Sequence, residues 1–385
     1  MADYFFNIPP PPNHHHRSQQ STTGDSKTHR DQWIWKPADM RSTPSRLVGI
    51  DWESENFLRG RAINWVIRIS VSLQLPQLII ATASVYLHRF YMRKSVRRYT
   101  PKVMSATALF LATKVEEVPR KLEYIVREYL RIDENGDEIQ PGNLTPEDSE
   151  ESASFKQQIL YFEGILLRTL CFDLAVDHPY TTLIQTVKNI HISHSRIRPI
   201  EKSLPIDMAD RTKAKSLAQA SWGFLNDSLM TPLCVIHRPE VIAAAAFLIA
   251  VVHRVIECSS DHQAASDPSL PLGLDESWLR SEVYRHLNLP DISNDPASEG
   301  SSKAQEWWTC FKVENLQSVY ESANVILDQY LLSSSSFINQ CALKVSICFI
   351  FLKFSLSSIP FPIFVHSFLF LFCIQKKKKR LLRLS

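Results

Sequence analysis

Glycine is scarce in this chain: 9 residues of 385. Strand-rich folds draw on glycine at turns and bulges, so its scarcity favours helices. Paired cysteines are missing too. The seven are Cys171, Cys234, Cys258, Cys310, Cys341, Cys348 and Cys373; none forms a C-x-x-C pair, and residues 1–150 contain none. This excludes an N-terminal zinc ribbon and a disulfide framework, and reads as buried thiols in a reducing compartment. The N-terminus is polar and proline-rich, without a secretory apolar run, so the chain is expected to start out cytoplasmic or nuclear. Acidic residues vanish after Phe337: eight of the 43 Lys and Arg fall there with no Asp or Glu, leaving 35 basic against 40 acidic groups in residues 1–336. A mildly acidic body argues against nucleic acid as its direct partner.

What is present is helical patterning. With 44% apolar and 22% charged residues the composition is that of a globular chain. Residues 1–32, with Pro9–Pro12 and His14–His16, read as a disordered tail, the histidines as a solvated tract and not a metal site. Order is expected from Trp33-Ile34-Trp35, and Thr43-Pro44-Ser45 reads as a turn or helix start. Gln77–Tyr91 is apolar nearly all round, as in a central buried helix. Thr100-Pro101 predicts a capped helix to about Val115, and Pro119 another to about Ile132. After an acidic loop over 133–152, Phe155, Ile159, Phe162, Leu166 and Leu170 mark a helix over 153–170. Lys213–Asn226 is amphipathic, Arg238-Pro239 opens an alanine-rich helix to about Val252, and a polar loop over 259–275 leads to helices near 276–287 and 313–331.

The two alanine-rich helices superpose with a shift of 138 residues. Pro101, Val103, Ala106, Ala108 and Ala112 fall on Pro239, Val241, Ala244, Ala246 and Ala250. The economical reading is one helical domain used twice. The repeat breaks at Lys114, which falls on Val252, so its packing does not require a lysine there.

Val85-Tyr86-Leu87-His88-Arg89-Phe90-Tyr91-Met92 and Ala108–Lys121 resemble the first box of the cyclin family, and transcriptional cyclins of the K and T types most closely. Leu170–Tyr180 resembles the crossing between boxes; Ala220–Leu229 and Trp307-Trp308 resemble the K type. The resemblance covers about residues 33–331. It implies an all-α fold with a lead-in (33–58), two five-helix cyclin boxes in tandem (59–175 and 176–332) and an atypical tail (333–385). It also implies the function: a non-catalytic nuclear subunit that binds a cyclin-dependent protein kinase, with the RNA polymerase II C-terminal domain reached through that kinase in transcription elongation. No cofactor or metal is expected. Cyclins hold a mobile kinase helix inward, which completes the Lys–Glu pair that aligns ATP.

On this resemblance Lys114 and Glu163 are kinase-binding positions, with Glu117 and Lys121 beside them. A cation and a carboxylate there can make charge-assisted bonds to partner backbone. The alternative is an ordinary ion pair within the chain, of little weight if solvated. Arg59 matches the arginine that pairs with an aspartate in cell-cycle cyclins, but His88 stands at that position. Backbone carbonyls or packing alone would then hold Arg59. Phe90, with Tyr91 and Met92, reads as core. Adjacent Glu116 and Glu117 lack a nucleophile, phosphate loop or metal ligands, and read as acidic surface.

Residues 337–374 are Phe-, Ser- and Leu-rich and close on Lys376–Arg380. They read as a translated extension beyond a second box ending near Leu332. A membrane anchor is less favoured, because Ile359–Ile374 is short of the roughly twenty residues a span needs. Lys376–Arg380 also resembles a nuclear import signal. Two other functions compete: a cyclin-fold general transcription factor of the TFIIB kind, which would bring a zinc ribbon and a basic face, and a cyclin-fold scaffold without a kinase.

Overall fold

The structure, a computed structural model, describes residues 32–132, 149–187, 208–261 and 307–329. Its contacts divide the chain into Met1–Gln32 and Trp33–Ser385, and all the helices named here belong to the second unit. They are α1 (Pro44–Leu47), α2 (Trp52–Ser72), α3 (Gln77–Tyr91), α4 (Pro101–Val115), α5 (Leu122–Leu130), α6 (Glu150–Thr169), α7 (Met208–Ser228), α8 (Pro239–Asp261) and α9 (Leu316–Asp328), with short 3-10 turns at Asp39–Arg41, Pro232–Val235 and Trp307–Phe311. Residues 179–187 are also helical. The expected tail, most of the 133–152 loop, the helix near 276–287 and the stretch 337–385 lie outside the described residues. No described helix is long and apolar enough to cross a membrane.

Local chemistry sets the helix starts. Thr43 caps α1, Asp51 accepts from Ser54 N at 2.7 Å to open α2, Ser149 opens α6, and Asn315 opens α9. Thr100 occupies the cap position of α4, but its side chain makes no cap hydrogen bond, so Pro101 at the first helical position carries that start. Pro119 is a correction. It does not open α5, which begins at Leu122; it follows the end of α4 and stops that helix from continuing. Helix α6 begins three residues earlier than expected, where Glu150 and Glu151 favour its N-terminal dipole. Helix α8 runs on to Asp261, past the expected Val252.

With little glycine, the chain ends its helices on residues that tolerate a left-handed turn less well. Gln74 (φ 52°), Glu117 (φ 56°) and Cys171 (φ 54°) follow α2, α4 and α6. Each end closes with the same pair of bonds: Leu75 N to Ser70 O, Val118 N to Thr113 O and Phe172 N to Leu167 O reach back five residues, and Gln74, Glu117 and Cys171 donate to the carbonyls of Val71, Lys114 and Arg168. Cys171 is exposed, against the expectation of buried thiols, because this turn carries it outward.

Helix α4 packs against α2, α3, α5 and α6, and α8 packs against α7, α9 and the Trp307–Phe311 turn. Their alanines explain the central placement: Ala106, Ala108 and Ala112 are fully buried, as are Ala244, Ala246 and Ala250, letting neighbouring backbones approach. Helix α3 is buried from Ile79 to Tyr91. It also ties the first helical set to the crossing segment beyond α6. Tyr86 Oη donates to Leu174 O at 2.7 Å, Arg89 Nη1 to Ala175 O at 3.3 Å, and Gln77 Nε2 to Tyr180 Oη at 3.3 Å, while Tyr180 Oη donates to Asn226 Oδ1 of α7 at 2.9 Å. Satisfying the carbonyls of the crossing segment from one helix fixes its path.

Candidate functional site

At the C-terminal end of α4, Lys114 folds back along its helix, with Nζ 4.3 Å from the Phe110 ring centroid. Across from it, α6 presents Glu163, and the two side chains form an ion pair. The Lys114 side chain remains 41% exposed and that of Glu163 14%. Glu163 is held there because it lies at the edge of the face of α6 that Phe155, Ile159 and Leu166 bury. The alternative raised from sequence, an ion pair within the chain, is thus formed in the free protein. Only the lysine end is open to water, while the Glu163 oxygen it meets is not, so the net stabilisation of the fold is modest, about 1 kcal/mol.

Glu117 and Lys121 lie on the α4–α5 connection that follows Lys114. Both are exposed, and neither makes an ion pair among the described residues. Glu116 is not free surface. It accepts from Thr82 Oγ1 at 2.6 Å, and Thr82 in turn accepts from His178 Nε2 at 2.8 Å, a chain that joins the end of α4 to the crossing segment. Burial, then nearby Arg89, holds His178 neutral with its pKa down at about 4. On the outer face of α6, Lys156 meets Glu123 at 3.8 Å, and Leu160 and Tyr161 are more than half exposed.

Arg59 lies apart from that face, fully buried. Its Nε and Nη2 donate to Glu55 Oε1 at 3.0 and 2.5 Å, Nη2 also to Tyr91 O at 2.8 Å, and Nη1 to His88 O at 3.4 Å. The carbonyl contacts were expected; the carboxylate was not. Thr43 Oγ1 donates to Glu55 Oε2 at 2.5 Å, extending the network to the start of α1. His88 turns its ring the other way, with Nε2 3.0 Å from Leu229 O just beyond α7. A carbonyl only accepts, so Nε2 carries the proton. Burial, then the Arg59 charge, brings its pKa down to about 3. Phe90 is fully buried against Tyr91 and Tyr99.

The segment before α1 docks as its tryptophans suggested. Trp33 Nε1 donates to Asp173 Oδ2 at 2.6 Å, and the guanidinium groups of Arg89 and Arg93 lie 4.7 and 4.4 Å from its ring centroid. Trp35 N donates to Val235 O at 2.8 Å, and Met40, Met92 and Val235 form a small separate core.

Residues 37–175 match the cyclin N-terminal domain family. Over those residues the chain is similar to the cyclin family. Among its relatives, Cyclin pch1 of Schizosaccharomyces pombe is 33% identical over 251 residues, 65% of this chain and 65% of that one. Cyclin-K of Homo sapiens is 32% identical over 218 residues, 57% of this chain and 33% of that one. The chain therefore spans less than two thirds of the length of these relatives. In the crystal structure of the yeast RNA Pol II CTD kinase CTDK-1 complex, one chain shares the fold at TM-score 0.52 and 15% identity, over 85% of this chain and 86% of that one. Its relatives include a cyclin of the K kind and one of the T kind, Cyclin-T1-5 of Arabidopsis thaliana, and the all-helical architecture of the described residues is the fold seen in that complex.

Sequence reasoning paired Lys114 with Glu163 and missed Glu55 and Asp173. Glu55 had a visible signal in its four-residue spacing from Arg59, which places both on one helix face. Asp173 had none, since it meets Trp33 across 140 residues.

Proposed function

We propose that this chain is a cyclin, the regulatory subunit of a cyclin-dependent protein kinase, and performs no catalysis itself. Residues 59–175 and 176–332 serve as its two boxes, behind a tail (1–32) and a lead-in (33–58), with 333–385 as an extension outside them. The kinase-contact face centres on Lys114 and Glu163, with Glu117 and Lys121 at its edge. The observation that carries the reading is the break in the repeat. At the equivalent position of α8, Val252 is buried, whereas Lys114 is held half exposed beside a carboxylate. Packing does not ask for a charged pair here, and an ion pair of modest net stabilisation can be exchanged for hydrogen bonds to a partner.

Binding would shift the kinase towards its active arrangement by differential affinity for that state. The kinase is one that phosphorylates the RNA polymerase II C-terminal domain, in the nucleus; kinship with the K- and T-type cyclins supports this substrate. The test is to purify the cyclin from its own cells and identify the protein that accompanies it. A cyclin-dependent kinase is expected, and its absence from the purified material would contradict the reading.

A further inference from the structure

Between Arg89 and Lys102 the chain carries six cations and no acid, in a body that is otherwise acidic. Three are engaged. Arg89 and Arg93 lie over the Trp33 ring, with Arg93 also donating to Thr169 O at 2.8 Å, and Lys102 Nζ donates to Ile132 O at 2.9 Å. The other three, Lys94, Arg97 and Arg98, have no carboxylate partner among the described residues. Arg97 and Arg98 are exposed.

The turn that displays them is rigidly built. Val96 and Tyr99 are buried and point inward. Val96 N donates to Ser45 Oγ at 3.1 Å, Tyr99 N to Ser95 O at 3.1 Å, and Lys94 N to Phe90 O at 2.9 Å. The charges are crowded as well: burial and then the neighbouring Arg98 make Lys94 less basic than usual. A protein does not ordinarily hold like charges together on a fixed turn without a counter-charge, and a preset arrangement loses little entropy when an anion binds. The turn is continuous with the Lys114–Glu163 face, because Arg98 lies 5.6 Å from the Tyr99 ring, Tyr99 packs edge-on against Phe162 at 5.9 Å, and Phe162 adjoins Glu163.

We infer that Lys94, Arg97 and Arg98 form a docking surface for a phosphorylated peptide segment. Arginine forks and a lysine point charge suit phosphate oxygens. One turn spans one or two phosphates, and the acidic body around it disfavours a long polyanion such as RNA. The inference stands apart from the kinase reading, since it concerns the cyclin alone.

Fluorescence anisotropy with the full chain decides it. The probes are a labelled peptide bearing two phosphoserines, the same peptide unphosphorylated, and a single-stranded RNA of equal charge. The phosphopeptide is expected to bind roughly tenfold or more tightly than its unphosphorylated form, to weaken about tenfold with Arg97→Ala and Arg98→Ala together, and to recover in the Lys variants. These side chains are exposed, and a melt of each variant checks that it folds. Equal binding of the two peptides, unchanged binding by a folded Ala variant, or tighter binding of RNA than of phosphopeptide would each overturn it.

Discussion

Arg59 and Glu55, one turn apart on α2, form an ion pair in which two guanidinium nitrogens donate to the one oxygen Oε1, with both side chains out of water. The rest of the guanidinium donates to the carbonyls of His88 and Tyr91, and the second carboxylate oxygen accepts from Thr43. One pair thus joins α1, α2 and the end of α3. Glu55→Ala leaves the arginine buried without its counter-charge and is expected to cost about 3–5 kcal/mol. Glu55→Gln, which keeps an acceptor, should cost less. Urea unfolding midpoints check both, and a loss below about 1 kcal/mol in the alanine variant would contradict this role.

His88 makes stability depend on acid. The folded chain keeps it neutral down to a pKa of about 3, while the unfolded side chain titrates near the ordinary 6.5. Between those values the unfolded state binds a proton the folded state does not, so stability falls as pH falls. His178, at about 4, acts in the same direction. Asp227 opposes them: burial pushes it up to about 7, so the folded state holds its extra proton from there down to about 3.8. His88→Gln should therefore lose about 2 kcal/mol less than the parent between pH 7.5 and pH 5. Unfolding midpoints at the two pH values measure the difference.

Trp33 fastens the lead-in. Trp33→Ala removes a buried ring that two guanidinium groups contact and is expected to cost about 3–5 kcal/mol. Trp33→Phe keeps a ring but forfeits the bond to Asp173, for about 1–2 kcal/mol. Thermal melts rank the two, and equal losses would show that the hydrogen bond, not the ring, anchors the segment.

Gln74 carries a backbone penalty at the end of α2. Gln74→Gly relieves the left-handed conformation and should stabilise the chain by about 0.5–1 kcal/mol after glycine's own entropy cost. A raised urea midpoint checks it.

The helices were legible because their signals are local. Proline after a capping position marked α1, α4 and α8, and apolar spacing at three and four residues found α6. Pro119 misled because the same residue opens one helix or stops another, and the deciding fact, the left-handed turn at Glu117, has no signature in a sequence short of glycine. The ends of α6 and α8 strayed because charged and polar residues continue a helix whose packing is already set. Lys114 and Glu163 came from resemblance and from the broken repeat. Residues that meet across the fold, such as Trp33 with Asp173 and His88 with Leu229, leave no spacing to read.

The central claim is that Lys114 and Glu163 engage a kinase. The most direct measurement reconstitutes the co-purified kinase with the wild-type cyclin and with Lys114→Ala, Glu163→Ala, then follows phosphorylation of a polymerase C-terminal repeat peptide. Their ion pair contributes about 1 kcal/mol to the fold, so the double variant should melt almost as the parent does. It should nonetheless lose kinase activation by tenfold or more, as interface hot spots do. Full activation by a folded double variant would contradict the account.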